Sequence, residues 1–133
     1  MAFRHRFLLG MSSVDRAGVL FYPELFRHAH DACEAFLAHI GEPLHQVLAA
    51  GEMALPVVHA EADYLAPLRH GVEVEAAVTV GDIGDTSFRL DCTFYTPVGD
   101  LAARARSVHV CIDAGSGRPL SLPAALRKRL QAD

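Results

Sequence analysis

Cysteine is scarce and poorly placed for bonding in pairs. Cys33, Cys92 and Cys111 are the only three, they lie far apart, and no CxxC pair occurs. That excludes a disulfide framework and a zinc-ribbon site, and leaves buried free thiols as the expectation. No apolar run approaches the roughly 20 residues of a membrane span. Met1 to Arg6 is too polar and basic to lead a secretory signal, and no apolar h-region follows. A cytoplasmic protein with no membrane partner is therefore expected. The net charge is −4 and the basic residues are scattered, which argues against nucleic acid as the main partner. A few local arginines still suffice to hold a phosphate. Low-complexity segments and internal repeats are absent too.

About half of the chain, 51%, is hydrophobic, enough for a core, and its length suits one domain over residues 1–133. Phe3 to Leu9 alternates as a first strand. A turn-rich stretch, Gly10 to Gly18, leads to a helical pattern over Pro23 to Ile40. Its apolar stripe is Phe26, Ala29, Cys33, Phe36, Leu37 and Ile40. Pro23 suits the first turn and Gly41 suits the stop. At 1.5 Å per residue this helix spans roughly 27 Å, enough to cross a small sheet. A short helical turn is expected near Leu44–Ala50. Strands follow at Val57–Leu65, Val72–Val80, Ser87–Thr96 and Leu101–Ile112, joined mainly by hairpin-type turns. A terminal helix has Ser121 as candidate N-cap and Leu122, Leu126 and Leu130 on one face. One long helix on a mostly antiparallel sheet is an α+β layer architecture. Long apolar edge strands suggest pairing with another copy of the chain.

The segment richest in chemistry is Val14-Asp15-Arg16-Ala17-Gly18-Val19-Leu20-Phe21-Tyr22-Pro23. A carboxylate sits in a glycine-containing loop that leads straight into the longest helix. The first N–H groups of a helix lack intrahelical partners and carry partial positive charge. Aimed at a carbonyl oxygen, they stabilise the oxyanion formed when that carbonyl is attacked. Asp15 supplies a base or nucleophile near the same point. Asp and Gly are also ordinary turn residues, so residue chemistry alone leaves both roles open.

Asp15-Arg16-Ala17-Gly18-Val19-Leu20-Phe21-Tyr22-Pro23 followed by a long helix resembles the active-site signature of hotdog-fold thioesterases of the 4-hydroxybenzoyl-CoA thioesterase type. A second block is similar to the 1,4-dihydroxy-2-naphthoyl-CoA thioesterases of quinone biosynthesis. It comprises Gly51 to Ala60, Asp63-Tyr64-Leu65-Ala66-Pro67, Leu101 to Arg106 and His109 to Ile112. The resemblance implies a five-stranded antiparallel sheet wrapped around one long central helix. It implies hydrolysis of an acyl-CoA thioester by a homodimer or a dimer-of-dimers homotetramer, with the sites at the dimer interface. No metal or organic cofactor is implied, since coenzyme A belongs to the substrate.

Carried onto this chain, the resemblance makes Asp15 the catalytic carboxylate, as nucleophile or general base. The Tyr22 backbone N–H polarises the thioester carbonyl, and Gly18 keeps the loop open. Substrate contacts are expected from Asp31 and Glu34 on the helix, with His30 nearby. Some relatives place the catalytic carboxylate on this helix, which makes Asp31 or Glu34 the rival to Asp15. His59 and Arg89 are further substrate-contact candidates. His59 and His109 are expected to be hydrogen-bonded within the packing rather than to ligate metal. The basic run that some relatives carry near the fourth strand is reduced here to Arg89, so Arg69, His70, Arg104 or Arg106 are alternative phosphate contacts.

Overall fold

The computed structural model describes residues 2–133 apart from 44, 45, 47 and 48; the helical turn expected near Leu44–Ala50 falls on this stretch and lies outside the described residues. In chain order the elements are β1 (Phe3–Leu8), a short 3-10 turn (Met11–Ser13), α1 (Glu24–His39), β2 (Met53–Ala54), β3 (Val57–Tyr64), β4 (Glu73–Ile83), β5 (Ser87–Tyr95), β6 (Leu101–Val110), β7 (Ile112–Asp113) and α2 (Ala124–Gln131). Five strands form one antiparallel sheet in the order β1-β4-β5-β6-β3, and β2 pairs with β7 in a small ribbon. This is the hotdog arrangement, α+β with the long helix against the sheet.

Two-residue alternation decides which side chains meet the helix. Val74, Ala76 and Val78 of β4, Phe88, Leu90, Cys92 and Phe94 of β5, and Ala103 and Ala105 of β6 are all buried. Against them α1 lays Leu25, Ala29, Ala32, Cys33, Phe36 and Leu37. Each large side chain fully withdrawn from water here, Phe36 and Phe94 among them, stabilises the fold by roughly 1.5–3 kcal/mol. The three cysteines are buried and free.

Gly41 ends α1 as expected. With φ +92 it takes a left-handed conformation, and it donates its N–H to the Ala38 carbonyl while Glu42 donates to Leu37; this double bond pattern satisfies two of the helix's last carbonyls.

Several elements depart from the sequence expectation. Phe26 leaves the core stripe and is partly exposed, while Leu25 and His28 are buried. The helix is rotated so that a polar residue, given partners, occupies an inward position. The last sheet strand stops at Val110, and Ile112 and Asp113 pair instead with the unforeseen strand β2. Ser121 does not cap α2: its hydroxyl donates to the Asp85 carboxylate, and Pro123 holds the N-cap position. Leu122, Leu126 and Leu130 are buried as expected, and Arg127 ties α2 to the Gly84 and Asp85 carbonyls.

β1 and β3 are the sheet edges. β3 is exposed along nearly its whole length, apolar residues included: Val57 is 44% exposed, Val58 61% and Tyr64 47%.

Candidate active site

Asp15 opens a tight turn that its own carboxylate organises. Its Oδ1 accepts from the Ala17 N–H at 2.9 Å and the Val19 N–H at 3.4 Å. Its main-chain N–H donates to the Val19 carbonyl, and the Gly18 N–H returns to the Asp15 carbonyl at 3.0 Å. Gly18 sits at φ +75, a left-handed conformation that side-chain-bearing residues adopt at a cost. The turn thus holds one carboxylate oxygen in place, and among the described residues Oδ2 accepts no hydrogen bond. Asp15 is exposed and lines a shallow surface depression with Met11, Val14, Arg16 and Phe21.

The chain from this turn to α1 is fastened on both sides. Val14 pairs with Leu20 and Val19 with Arg69. The His70 N–H reaches the Gly18 carbonyl at 2.8 Å, and Phe21 donates to Ser13 at 2.9 Å. The next main-chain N–H, that of Tyr22, has no main-chain acceptor among the described residues. Pro23 has no N–H, and the helical ladder starts with Glu24 and Leu25 donating to Phe21 and Tyr22. A free donor therefore stands at the positive end of α1. Tyr64, at the end of β3, donates its hydroxyl to the Tyr22 carbonyl at 2.5 Å.

A polar cluster beneath the loop sets this geometry. Ser13 is buried, and its Oγ lies 3.0 Å from Glu24 Oε1, 2.9 Å from His28 Nε2 and 2.9 Å from Arg27 Nη2. Ser13 has one proton to give. Donating it to the Glu24 carboxylate makes Arg27 and His28 the donors to its oxygen, which assigns the Nε2–H tautomer to His28. Burial, with the Arg27 charge adding to it, lowers the His28 pKa and keeps the ring neutral. It stacks on Phe7 at 4.1 Å. Glu24 is held below the usual carboxylate range by Arg27 and by Ser13. None of these roles was visible in the sequence, because Ser13 and His28 are fifteen residues apart.

One turn into α1 a cavity of about 370 Å³ opens between the helix and the inner face of β3, β5 and β6. Its walls include Phe26, His30 and Cys33 of α1, Ala60 of β3, and Ser107 and His109 of β6. The helical rise places Phe26 about 6 Å and His30 about 12 Å along the axis from Tyr22. Ser107 and His109 continue the inward alternation of Ala103 and Ala105, a signal present in the sequence but readable only once the strand's buried face is known.

The other expected site residues are distributed as follows. His30 borders the cavity; Asp31 and Glu34 do not, being exposed on α1, with Asp31 3.7 Å from the Arg27 guanidinium. His59 alternates out of phase with Ala60 and Ala62, on the sheet face away from α1, and lies 3.3 Å from Glu61. Arg89 is also on that outer face, its guanidinium engaged by both oxygens of Asp91 and by Asp82. Arg104 and Arg106 follow the outer-face register of β6. Arg69 and His70, by contrast, are carried next to the Asp15–Gly18 turn by their own main-chain pairing. Among the described residues no three His, Cys, Asp or Glu side chains converge as metal ligands.

A five-stranded antiparallel sheet on one long helix is the hotdog fold, and the relatives that share it here are acyl-CoA thioester hydrolases, the class to which this chain belongs. Residues 9–130 match the family model described as the thioesterase-like superfamily, and the chain belongs to that family. It is 35% identical over 122 residues to the 1,4-dihydroxy-2-naphthoyl-CoA hydrolase of Synechococcus sp. (strain RCC307), covering 89% of this chain and 92% of that one. It is 30% identical over 128 residues to the hydrolase of the same name from Synechococcus elongatus, covering 93% and 91%. The crystal structure of a 1,4-dihydroxy-2-naphthoyl-CoA thioesterase from Synechocystis matches with a TM-score of 0.92 at 26% identity, covering 98% of this chain and 96% of that one.

Proposed function

We propose that this chain hydrolyses an aromatic acyl-CoA thioester, of the 1,4-dihydroxy-2-naphthoyl-CoA or hydroxybenzoyl-CoA type, to the free acid and coenzyme A. The observation that supports the chemistry is one pinned loop carrying both the Asp15 carboxylate, fixed through Oδ1 by its own turn, and the unpartnered Tyr22 N–H at the start of α1. The substrate class is supported by what the relatives above are named for.

In this reading the thioester oxygen accepts from the Tyr22 N–H, and the dipoles of α1 stabilise negative charge as it develops there. Asp15 then acts in one of two ways. As nucleophile, its free oxygen adds to the carbonyl, the C–S bond breaks, and coenzyme A leaves as the thiolate; water afterwards cleaves the mixed anhydride. As general base, it takes a proton from water while the resulting hydroxide adds to the carbonyl, and the tetrahedral intermediate expels the same thiolate. A single turnover in isotopically labelled water with label found in the Asp15 carboxylate identifies the anhydride route, with water attacking the aspartyl carbonyl. Attack at the acyl carbonyl labels the product acid instead, as the general-base route does, and trapping the acylated Asp15 then separates the two.

Gly18 provides the bend that presents the carboxylate. Arg69 and His70, beside that bend, are the phosphate contacts this arrangement favours, since Arg89 is already tied to two carboxylates. The unpaired β3 edge supports a homodimer, two of which make a homotetramer, and the setting proposed is cytoplasmic quinone biosynthesis. A panel of acyl-CoA esters compared by kcat/KM tests the substrate class: aromatic hydroxy acids should lead, and a clear preference for aliphatic chains would overturn it.

A further inference from the structure

The cavity beside α1 is mainly apolar, as small-molecule sites are, and its volume falls within their range of roughly 300–1,000 Å³. Such sites fix orientation with a few placed polar groups, and here two of them form a defined unit on β6. His109 is 6% exposed and stacks on Phe88 with centroids 5.1 Å apart and planes 10° from parallel. Its Nε2 lies 2.8 Å from Ser107 Oγ. One hydrogen is shared across that contact, so the ring and the hydroxyl orient each other. Burial holds His109 at a pKa of about 4 and so keeps it neutral near pH 7.

Cys33 lines the facing wall, and burial keeps it a protonated thiol with its pKa pushed up to about 12. Ser107 Oγ, in the cavity wall, has hydrogen-bonding capacity beyond its contact with His109. It does not form a second nucleophilic centre, because the surrounding β5, β6 and β3 amides belong to the sheet ladder and provide no free N–H pair for an oxyanion.

We infer that Ser107, oriented by His109, recognises a ring hydroxyl of the aromatic acyl group by hydrogen-bonding to it inside this cavity. The inference rests on the aromatic acyl-CoA reading above and adds to it a specificity residue outside the Asp15 turn. The acyl ring then lies along α1 past Phe26, with its carbonyl at Tyr22 and its hydroxyl-bearing part toward β6.

The test compares kcat/KM for 1,4-dihydroxy-2-naphthoyl-CoA and unsubstituted 2-naphthoyl-CoA in wild type, Ser107→Ala and His109→Phe. Losing one such hydrogen bond should cost Ser107→Ala about tenfold on the hydroxylated ester. Turnover of the plain naphthoyl ester should stay within about twofold, which also reports an intact fold. His109→Phe keeps the stacking surface but removes the group that orients the serine, so the preference for the hydroxylated ring should narrow while naphthoyl turnover persists. Parallel losses on both esters, or no loss on either, would overturn the role of Ser107 and leave the hydrolase standing. A wild type that cleaves neither ester but cleaves aliphatic ones would remove the aromatic reading, and this inference with it.

Discussion

A side chain's role in this protein depends on what its second partner is. Asp15 bonds its own turn through one oxygen and keeps the other, so the same residue is structural and chemically available. His109 illustrates the point with a measurable consequence. Its pKa is lowered by burial from 6.5 to about 4 in the folded state. Above pH 6.5 the ring is neutral whether the chain is folded or not, and the full stability is present. As the pH falls, the unfolded chain takes up the proton first, and stability drains away until the folded ring also protonates near pH 4. The shift amounts to about 3 kcal/mol over that window. The lowered pKa of His28 acts in the same direction. Thermal midpoints measured across this range should fall steeply toward acid in the wild type and less steeply in His109→Phe; identical slopes would show that His109 does not titrate as described.

At the scale of elements, the candidate site is a loop held by its neighbours rather than a rigid strand or helix. The 14–22 segment is pinned by the 68–70 loop on one side and by the Ser13–Glu24–Arg27–His28 cluster on the other. Gly18 is where this fastening depends on backbone freedom. Nothing lies within 4 Å of the position a Cβ would take there, so Gly18→Ala tests conformation without a clash. Its left-handed φ should make the substitution cost about 1–2 kcal/mol, with kcat falling as Asp15 is displaced. A variant of unchanged stability and rate would show that the turn tolerates another shape.

The sequence carried the helix, the four long strands and the Asp15–Tyr22 segment, because each is written in local periodicity or in adjacent residues. Of the hairpins expected between the strands, β4–β5 and β5–β6 form, whereas the 69–71 link crosses over, since β3 pairs with β6 and not with β4. It did not carry the β2–β7 ribbon, which joins residues about sixty apart, nor the Ser13–His28 bond. His59 shows the same limit from another side. Alternation tells that it and Ala60 face opposite ways, but not which face meets α1. Ser121 looked like a cap on local grounds and was claimed instead by Asp85, distant in sequence.

Taken as a whole, the sheet has two edges. β1 is tied to its inner neighbour β4 by Arg4 and Arg6, which both engage Glu75. β3 ends the other side with open main-chain groups and exposed valines, and this is the edge through which two copies are proposed to join. Val58→Lys places a charge on that edge. We expect the mass in solution to drop toward that of a monomer and activity to fall with it. Wild-type protein that is already monomeric and active, measured by light scattering, would remove the dimer from the mechanism.

The central claim remains the Asp15 carboxylate and the Tyr22 N–H on one pinned loop, and Asp15→Asn tests it with little disturbance. Asparagine keeps a side-chain oxygen to accept from Ala17 and Val19, so the turn survives while the charge and the nucleophilic oxygen are lost. The decisive measurement is steady-state hydrolysis of 1,4-dihydroxy-2-naphthoyl-CoA by this variant beside the wild type. We expect kcat to fall by about 10²–10⁴ with KM little changed. A folded Asp15→Asn protein that turns over at the wild-type rate would contradict it.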